Sequence, residues 1–405
     1  MKKSLILSGF ALVALSSSAQ YLKEGYITWP DGAQLPTVIS NWSLDNPTVT
    51  EFNGTSWDDE NFFISRVKIK PYITNVNTQV YENITESNDK KLLMWVPVGN
   101  VKDVNGIHSG SLPNGVFDSE VFSMWPYVTY YGDWISPYGW IPGGFADAAH
   151  KHGTAVAGQA SIPNATLSGN WYNCVSGMGT NFMTDEGAKK VAAFLNYHGV
   201  DGLNYNSEFS TTQSIVTNLS TMHGKVYKYM HETYGNDKFE NIWYTGTVAS
   251  GGINFNSSLH SGNLNIFGNS SEPRTSLFVN YEWLWYINTT NNNLPGTGRD
   301  GRDLYMGMNM QAGCKDANEW LTHKTTNYSI GLWGAHDFNY LWAPRANNGS
   351  RDDQKQVYYQ QRLEEWFSNG NRNPANRIDV YATTSLGPSA EWFGMTQFMS
   401  AREKL

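Results

Sequence analysis

The chain has 405 residues, and its 28 lysines and arginines stand against 36 aspartates and glutamates, a formal net charge of −8. That acidic balance, with no basic block, argues against nucleic acid or an anionic membrane as partner, and the length admits two or three average domains or one barrel enzyme with long loops. Aromatic residues are abundant, with 16 Trp and 23 Tyr against only 16% charged residues; exposed Trp and Tyr suit sugar rings, whose C–H faces stack on aromatic planes, although any single one is more readily explained as core.

The first element in chain order is MKKSLILSGFALVALSSSAQ, in which two lysines precede a short apolar run, with Ser17 and Ala19 placed for cleavage before Gln20. This predicts a secretory leader over residues 1–19 and export, to a periplasm or out of the cell. The apolar part is too short for a membrane anchor, and no cysteine follows it to carry a lipid, so membrane insertion is not expected. Removing two lysines from a chain of net charge −8 leaves −10. Residues 20–60 are assigned to an irregular N-terminal extension, and residues 61–405 to one catalytic domain. Cys174 and Cys314 are the only cysteines, and spacing alone leaves open whether they pair.

Eight segments then read as strands: KLLMWVPVG (91–99), YVTYYGDW (127–134), TAVAGQASI (154–162), VDGLNYNSE (200–208), NIWYTGTV (241–248), TSLFVNY (275–281), DLYMGMNM (303–310) and YSIGLWGA (328–335). Helical patterns lie between several of them. Phe145 to His152 forms a short one closing at Gly153. Thr184 caps a second, with Asp185 and Glu186 in its first turn, an apolar face of Ala188, Val191, Ala192 and Leu195, and a stop at Gly199. A third places Ile215, Leu219, Met222, Val226 and Met230 on one side and ends at Gly235. Strand and helix in alternation predict a (β/α)8 TIM barrel, because parallel strands require helical crossovers; a doubly wound open sheet is the rival architecture.

Several motifs carry no chemistry. GTGRDG (296–301) fits a dinucleotide signature only in spacing, since an Asn-rich loop is expected before it and a strand after it, so it reads as a turn. His150 and His152 are two apart at a helix end, on different faces, and read as surface or capping residues rather than metal ligands. Asp300 and Asp303 lack further oxygen ligands at loop spacing for calcium. Neither metal nor cofactor is called for.

The informative stretch is GVDGLNYNSEFS (199–210), which reads as a buried strand yet places Asn204, Asn206 and Glu208 at every second position, on one face. In a barrel these occupy the C-terminal rim of the fourth strand, where barrel chemistry is found. A carboxyl group among aromatic side chains has its pKa raised and stays protonated to donate to a leaving oxygen. An amide two residues earlier cannot be the second carboxylate of an ordinary glycosidase pair. It can hold a substrate amide, which suits a reaction in which the 2-acetamido group of the sugar is the nucleophile. The plainer alternative is a satisfied polar cluster inside a barrel, but three polar groups in an otherwise buried row are costly unless paired or used.

The segment Asp201 to Glu208, D-G-x-N-x-N-x-E, is similar to the D-G-x-D-x-D-x-E strand of family 18 chitinases with both inner aspartates replaced, and its N-x-E ending resembles the family 85 endo-β-N-acetylglucosaminidases more closely. FFISRVKIKP (62–71), WPYVTYYGDW (125–134), GGFADAAHKHGTAVAGQ (143–159), IWYTGTVASGGINF (242–255) and FVNYEWLW (278–285) resemble successive segments of that family in order. The resemblance implies a barrel that cuts within the chitobiose core of N-glycans or glycoproteins by substrate-assisted, retaining hydrolysis. It implies Glu208 as general acid/base and Asn206 as the residue that orients the acetamido group. It further implies Tyr244, Asn280, Tyr281 and Trp283 as substrate-binding residues, with Trp243 as nearby support; Asn204 joins the substrate-binding set from its place in the row, not from the resemblance. This chain departs from the pattern at Thr245-Gly246, where the family has Asp-Ser, at Phe255 in place of Trp, and at Asn204 in a normally apolar position. A compact version without further C-terminal modules is expected. Two alternatives remain, a family 18-like chitobiose or chitin hydrolase and a non-catalytic glycan-binding barrel; a rise in activity on Asn206→Asp would favour the first, and glycan release at the same near-zero rate after Glu208→Gln the second.

Overall fold

The structure is a computed structural model that describes residues 35–45, 51–52, 55–56, 63–70, 91–96, 128–133, 141, 143–161, 178, 181–309 and 326–333. The leader at residues 1–19, Cys174 and Cys314 lie outside the described residues, as do parts of both the extension and the catalytic domain. Eight strands form a closed barrel: β1 (Leu92–Val96), β2 (Tyr130–Asp133), β3 (Ala155–Ser161), β4 (Gly202–Asn206), β5 (Glu240–Tyr244), β6 (Ser276–Val279), β7 (Leu304–Asn309) and β8 (Ser329–Trp333). Every neighbouring pair is parallel, and β8 returns to β1 through Ile330 beside Leu92. Each of the eight predicted strands is present, and β5 begins one residue before its predicted start.

Strand alternation sorts the core into two layers. Leu92, Met94, Val156, Leu203, Tyr205, Trp243, Leu277, Val279 and Met306 belong to the larger cluster shared with the helices. Their neighbours Leu93, Trp95, Tyr130, Ala155, Ala157, Ile242, Tyr244, Phe278 and Tyr305 form a second cluster inside the barrel. Gly202 stands on the inner face because a Cβ there would collide with the Tyr130 hydroxyl.

The N-terminal end of the bore is filled by polar groups. Glu240 Oε1 accepts from Lys91 Nζ at 2.6 Å, and its Oε2 accepts from Ser276 Oγ at 2.7 Å and Tyr305 OH at 2.9 Å. Asp303 sits between Lys91 and Arg299, and Asp300 pairs with Arg302. Their carboxylates are thus committed to cations of the chain itself. The row of Asn204, Asn206 and Glu208 runs toward the other end, the C-terminal rim.

Local signals set the helices. Among those described, α1 (Leu35–Asn41), α2 (Gly143–Lys151), α3 (Asp185–His198), α4 (Gln213–Glu232) and α5 (Ile287–Thr297) are the ones that bear on the site. Thr184 Oγ1 accepts from Gly187 N at 3.1 Å to start α3, which ends on Gly199 in the left-handed region. Gly153 closes α2 with φ 76°. The α4 helix stops at Glu232, three residues before Gly235, which has φ 65°.

Three expectations need correction. The Asn-rich segment before GTGRDG is helical rather than a loop. Thr290 Oγ1 accepts from Leu259 N at 3.1 Å and Asn293 Nδ2 donates to Leu259 O at 3.1 Å, so tertiary hydrogen bonds override weak intrinsic propensity. Of GTGRDG, Gly296 and Thr297 are the last residues of α5, and the expected turn begins at Gly298, which caps the helix at φ 65°. The N-terminal extension is not irregular throughout, since α1 packs on α3, where Trp42 meets Phe194 and Tyr197, each with ring centroids 5.6 Å apart. Finally, His150 is not a surface residue. It is buried, with Nε2 2.8 Å from Asp201 Oδ2 and Nδ1 2.6 Å from Val67 O, because residues 63–70 cover it.

Candidate active site

Strand β4 builds the centre of the site. Leu203 and Tyr205 face the helices, so Asn204 and Asn206 face the bore, and Glu208 continues their row two residues beyond the strand. The exit of β4 is braced from β5. Thr247 N donates to Ser207 O at 2.6 Å, and Thr247 Oγ1 donates to Phe209 O at 2.8 Å, fixing the backbone on both sides of Glu208. A Cβ at Gly246 would collide with that same Ser207 carbonyl. Thr245 ties the next strand in, its hydroxyl accepting from Asn280 N at 2.9 Å. The Thr-Gly pair is therefore a fitted turn in this chain.

Glu208 is exposed at the rim, but the surrounding walls exclude enough water to push its carboxyl pKa upward. A hydrogen bond from Asn206 acts in the opposite, smaller sense. Since a carboxylate only accepts, the amide nitrogen of Asn206 is the donor. Its other end, Oδ1, is buried without a partner among the described residues. The site thus presents a carboxyl held toward its protonated form beside an amide oxygen free to accept an N–H.

The adjoining wall, from β5 and the exit of β6, is phenolic. Tyr244 OH donates to Asn280 Oδ1 at 2.6 Å, and its ring lies 6.3 Å from that of Tyr281 and 6.4 Å from that of Phe255. Burial raises the Tyr244 pKa and the negative charge of Glu208 adds to it. Tyr281 is raised well above the ordinary phenol range by burial first and then by Tyr244 and Glu208. Both hydroxyls remain protonated donors at any physiological pH.

The structure brings Asn206, Glu208, Tyr244, Asn280 and Tyr281 together. It does not bring the two tryptophans. Trp243 is 0% exposed, faces Tyr205 and His223 on the helix side, and donates from Nε1 to Thr247 O at 3.0 Å. Trp283 is 1% exposed and donates to Gly307 O at 3.2 Å. Neither has a face for a glycan; Trp243 holds the turn under Glu208 and Trp283 packs the rim. Asn204 lies deeper, fully buried in the bore. Sequence reasoning missed Trp95, which stacks on Phe278 at 4.4 Å inside the barrel, and Gln159, which follows Ala155 and Ala157 on the inner face and was legible as the polar member of that alternation. Phe255, 45% exposed beside Tyr244, supplies the aromatic edge of the mouth.

A sequence profile described as Glycosyl hydrolase family 85 matches residues 108–404. No curated protein matches the chain. Among solved structures, the chain resembles the glycoside hydrolase domain of Spr0440, Endo-D from Streptococcus pneumoniae R6, at 16% identity and a TM-score of 0.57, over 84% of this chain and 51% of that one. This chain therefore spans about half the length of the structure it matches, and at such identity the likeness shows the fold. Fainter likenesses are to PhdJ bound to substrate intermediate (11% identity, TM-score 0.32, 78% of this chain and 96% of that one) and to a sugar phosphate isomerase/epimerase from Parabacteroides distasonis ATCC 8503 (8% identity, TM-score 0.32, 70% and 96%).

Proposed function

Because the chain belongs to glycosyl hydrolase family 85, we propose that it is an exported endo-β-N-acetylglucosaminidase, cleaving the GlcNAc-β-1,4-GlcNAc bond in the core of N-glycans. The observation that carries the chemistry is the pairing of a rim carboxyl of raised pKa, Glu208, with the unpartnered Oδ1 of Asn206 on the same row. Asn206 Oδ1 accepts the N–H of the 2-acetamido group and turns its carbonyl oxygen toward the anomeric carbon. That oxygen bonds to C1 as the C1–O bond to the second GlcNAc breaks, and Glu208 gives its proton to the departing oxygen. Water then attacks C1 of the oxazolinium, reopening the acetamido group, and Glu208 takes the proton back. Both displacements invert C1, so the product retains its configuration. Tyr244 and Tyr281, as permanent donors, flank the same centre. The lysine-led apolar leader supports export.

The test is incubation with a high-mannose glycoprotein and, separately, a chitin oligomer, read by mass spectrometry. Release of glycan leaving a single GlcNAc on asparagine is the expected result. Cleavage of the chitin oligomer alone would favour the chitinase-like reading, and cleavage of neither would favour a binding barrel.

A further inference from the structure

Below Asn206 the bore holds two more amides. Gln159 on β3 and Asn204 on β4 are side by side in register, 2% and 0% exposed. Both ends of both side chains, Gln159 Oε1 and Nε2 and Asn204 Oδ1 and Nδ2, are buried without a hydrogen-bond partner among the described residues. Gly132 on β2 leaves room for Trp95 and for Asn204 side by side: a Cβ there would come within 2.2 Å of Trp95 Cδ1 and 2.6 Å of Asn204 Nδ2. A buried polar group left unpaired is costly. Four together, contiguous with the free Oδ1 of Asn206, make a polar floor directly beneath the group that receives the substrate amide.

The spacing says what the floor can reach. Asn204 lies one strand repeat below Asn206, roughly 7 Å along β4. An acyl chain ending in a hydroxyl places its oxygen roughly 3.6 Å from the amide nitrogen, and a hydrogen bond adds about 2.9 Å, which together come close to that step. Resting on the acetamido-orienting role given to Asn206 above, we propose that Gln159 and Asn204 are specificity-determining residues that admit a 2-acylamido sugar whose acyl end carries a hydroxyl, as in N-glycolylglucosamine. A floor of apolar side chains would strip water from that hydroxyl and return nothing. Here the two amides offer it both donors and acceptors, and a buried water serves them when the acyl end is a methyl group.

The test is competitive hydrolysis of two labelled trimannosyl chitobioses that differ only in an N-acetyl or N-glycolyl group on the sugar bearing the scissile anomeric carbon. The wild-type chain should cleave the N-glycolyl form with a kcat/KM no lower than that of the N-acetyl form. Gln159→Met and Asn204→Leu should each lower the glycolyl-to-acetyl ratio tenfold or more, a readout that general loosening of the barrel does not move, and either variant carries the test if the other fails to fold. A wild-type preference for N-acetyl of tenfold or more overturns the proposal while leaving the endoglycosidase reading intact, and so does a ratio unmoved in both variants. Cleavage of neither sugar by the wild-type chain overturns that reading and the proposal with it.

Discussion

At the scale of single residues the site turns on one proton. Burial raises the Glu208 pKa, so its proton is retained to higher pH than on an ordinary carboxylic acid, and the bond-breaking step loses rate as pH rises through that value. Glu208→Gln cannot exchange the proton, and kcat/KM for glycan release should fall by about 10²–10⁴, the usual worth of general acid–base catalysis. Asn206 has two separable duties. Asn206→Ala should lose hydrolysis of the natural glycan yet still transfer a preformed sugar oxazoline, because the ring the amide would have oriented is already closed. It also removes the hydrogen bond that lowers the Glu208 pKa, so the alkaline limb of any residual activity should move to higher pH, not lower. A pH profile of kcat/KM for the two chains reads this directly; a limb that moves down would show that the amide does not donate to Glu208.

At the scale of elements, catalytic geometry depends on how β5 grips the exit of β4. Gly246 is the contact, and Gly246→Ala would drive a Cβ into the Ser207 carbonyl next to Glu208. Overpacking of this kind costs about 1–3 kcal/mol. The variant should therefore melt lower, and kcat should fall further than the drop in stability explains, because the displaced backbone carries the acid. A melting curve with kinetics recorded well below the transition separates the two effects. The same elements show what was legible in the sequence. All eight strands were, because strands buried on both faces leave continuous apolar runs, and so was the row of Asn204, Asn206 and Glu208, since polar residues at a period of two stand out in such a run. The orientation of Trp243 was available from the same alternation, as Tyr244 facing the bore requires its neighbour to face the helices. Trp283 was not, because it sits in a 3-10 turn after β6, where no period fixes direction. The Asn-rich helix α5 was hidden for a different reason: its supports come from Leu259, about thirty residues earlier in the chain.

At the scale of the molecule the two ends of the barrel have different duties, and His150 shows why the lower one resisted sequence reading. A histidine beside a lysine at a helix end reads as exposed, yet residues 63–70 cross beneath the barrel and bury it. Asp201 gathers the surroundings, its Oδ2 accepting from Val156 N at 2.9 Å and lying 2.8 Å from His150 Nε2, while Oδ1 accepts from Asn236 Nδ2 at 2.8 Å. On the other side of the imidazole stand Val67 O, Ser65 Oγ at 3.2 Å and Asp147. Burial alone would lower the His150 pKa, but the charge of Asp201 and its hydrogen bond, helped by Val67 O and Asp147, outweigh it and leave the value raised. A raised folded pKa means that the charged pair contributes its full stability below the unfolded value of about 6.5 and loses it as pH climbs through the folded value. The wild-type chain should consequently lose melting temperature between neutral and mildly alkaline pH. His150→Gln keeps a hydrogen-bonding side chain without the charge, so it should be less stable at pH 6, where the difference is largest, and the gap should close as the histidine in the parent chain deprotonates. Melting temperatures for both chains across pH 6 to 9 decide the matter. Parallel curves would mean that His150 is neutral in the folded state and that the strap is held by packing and backbone hydrogen bonds alone.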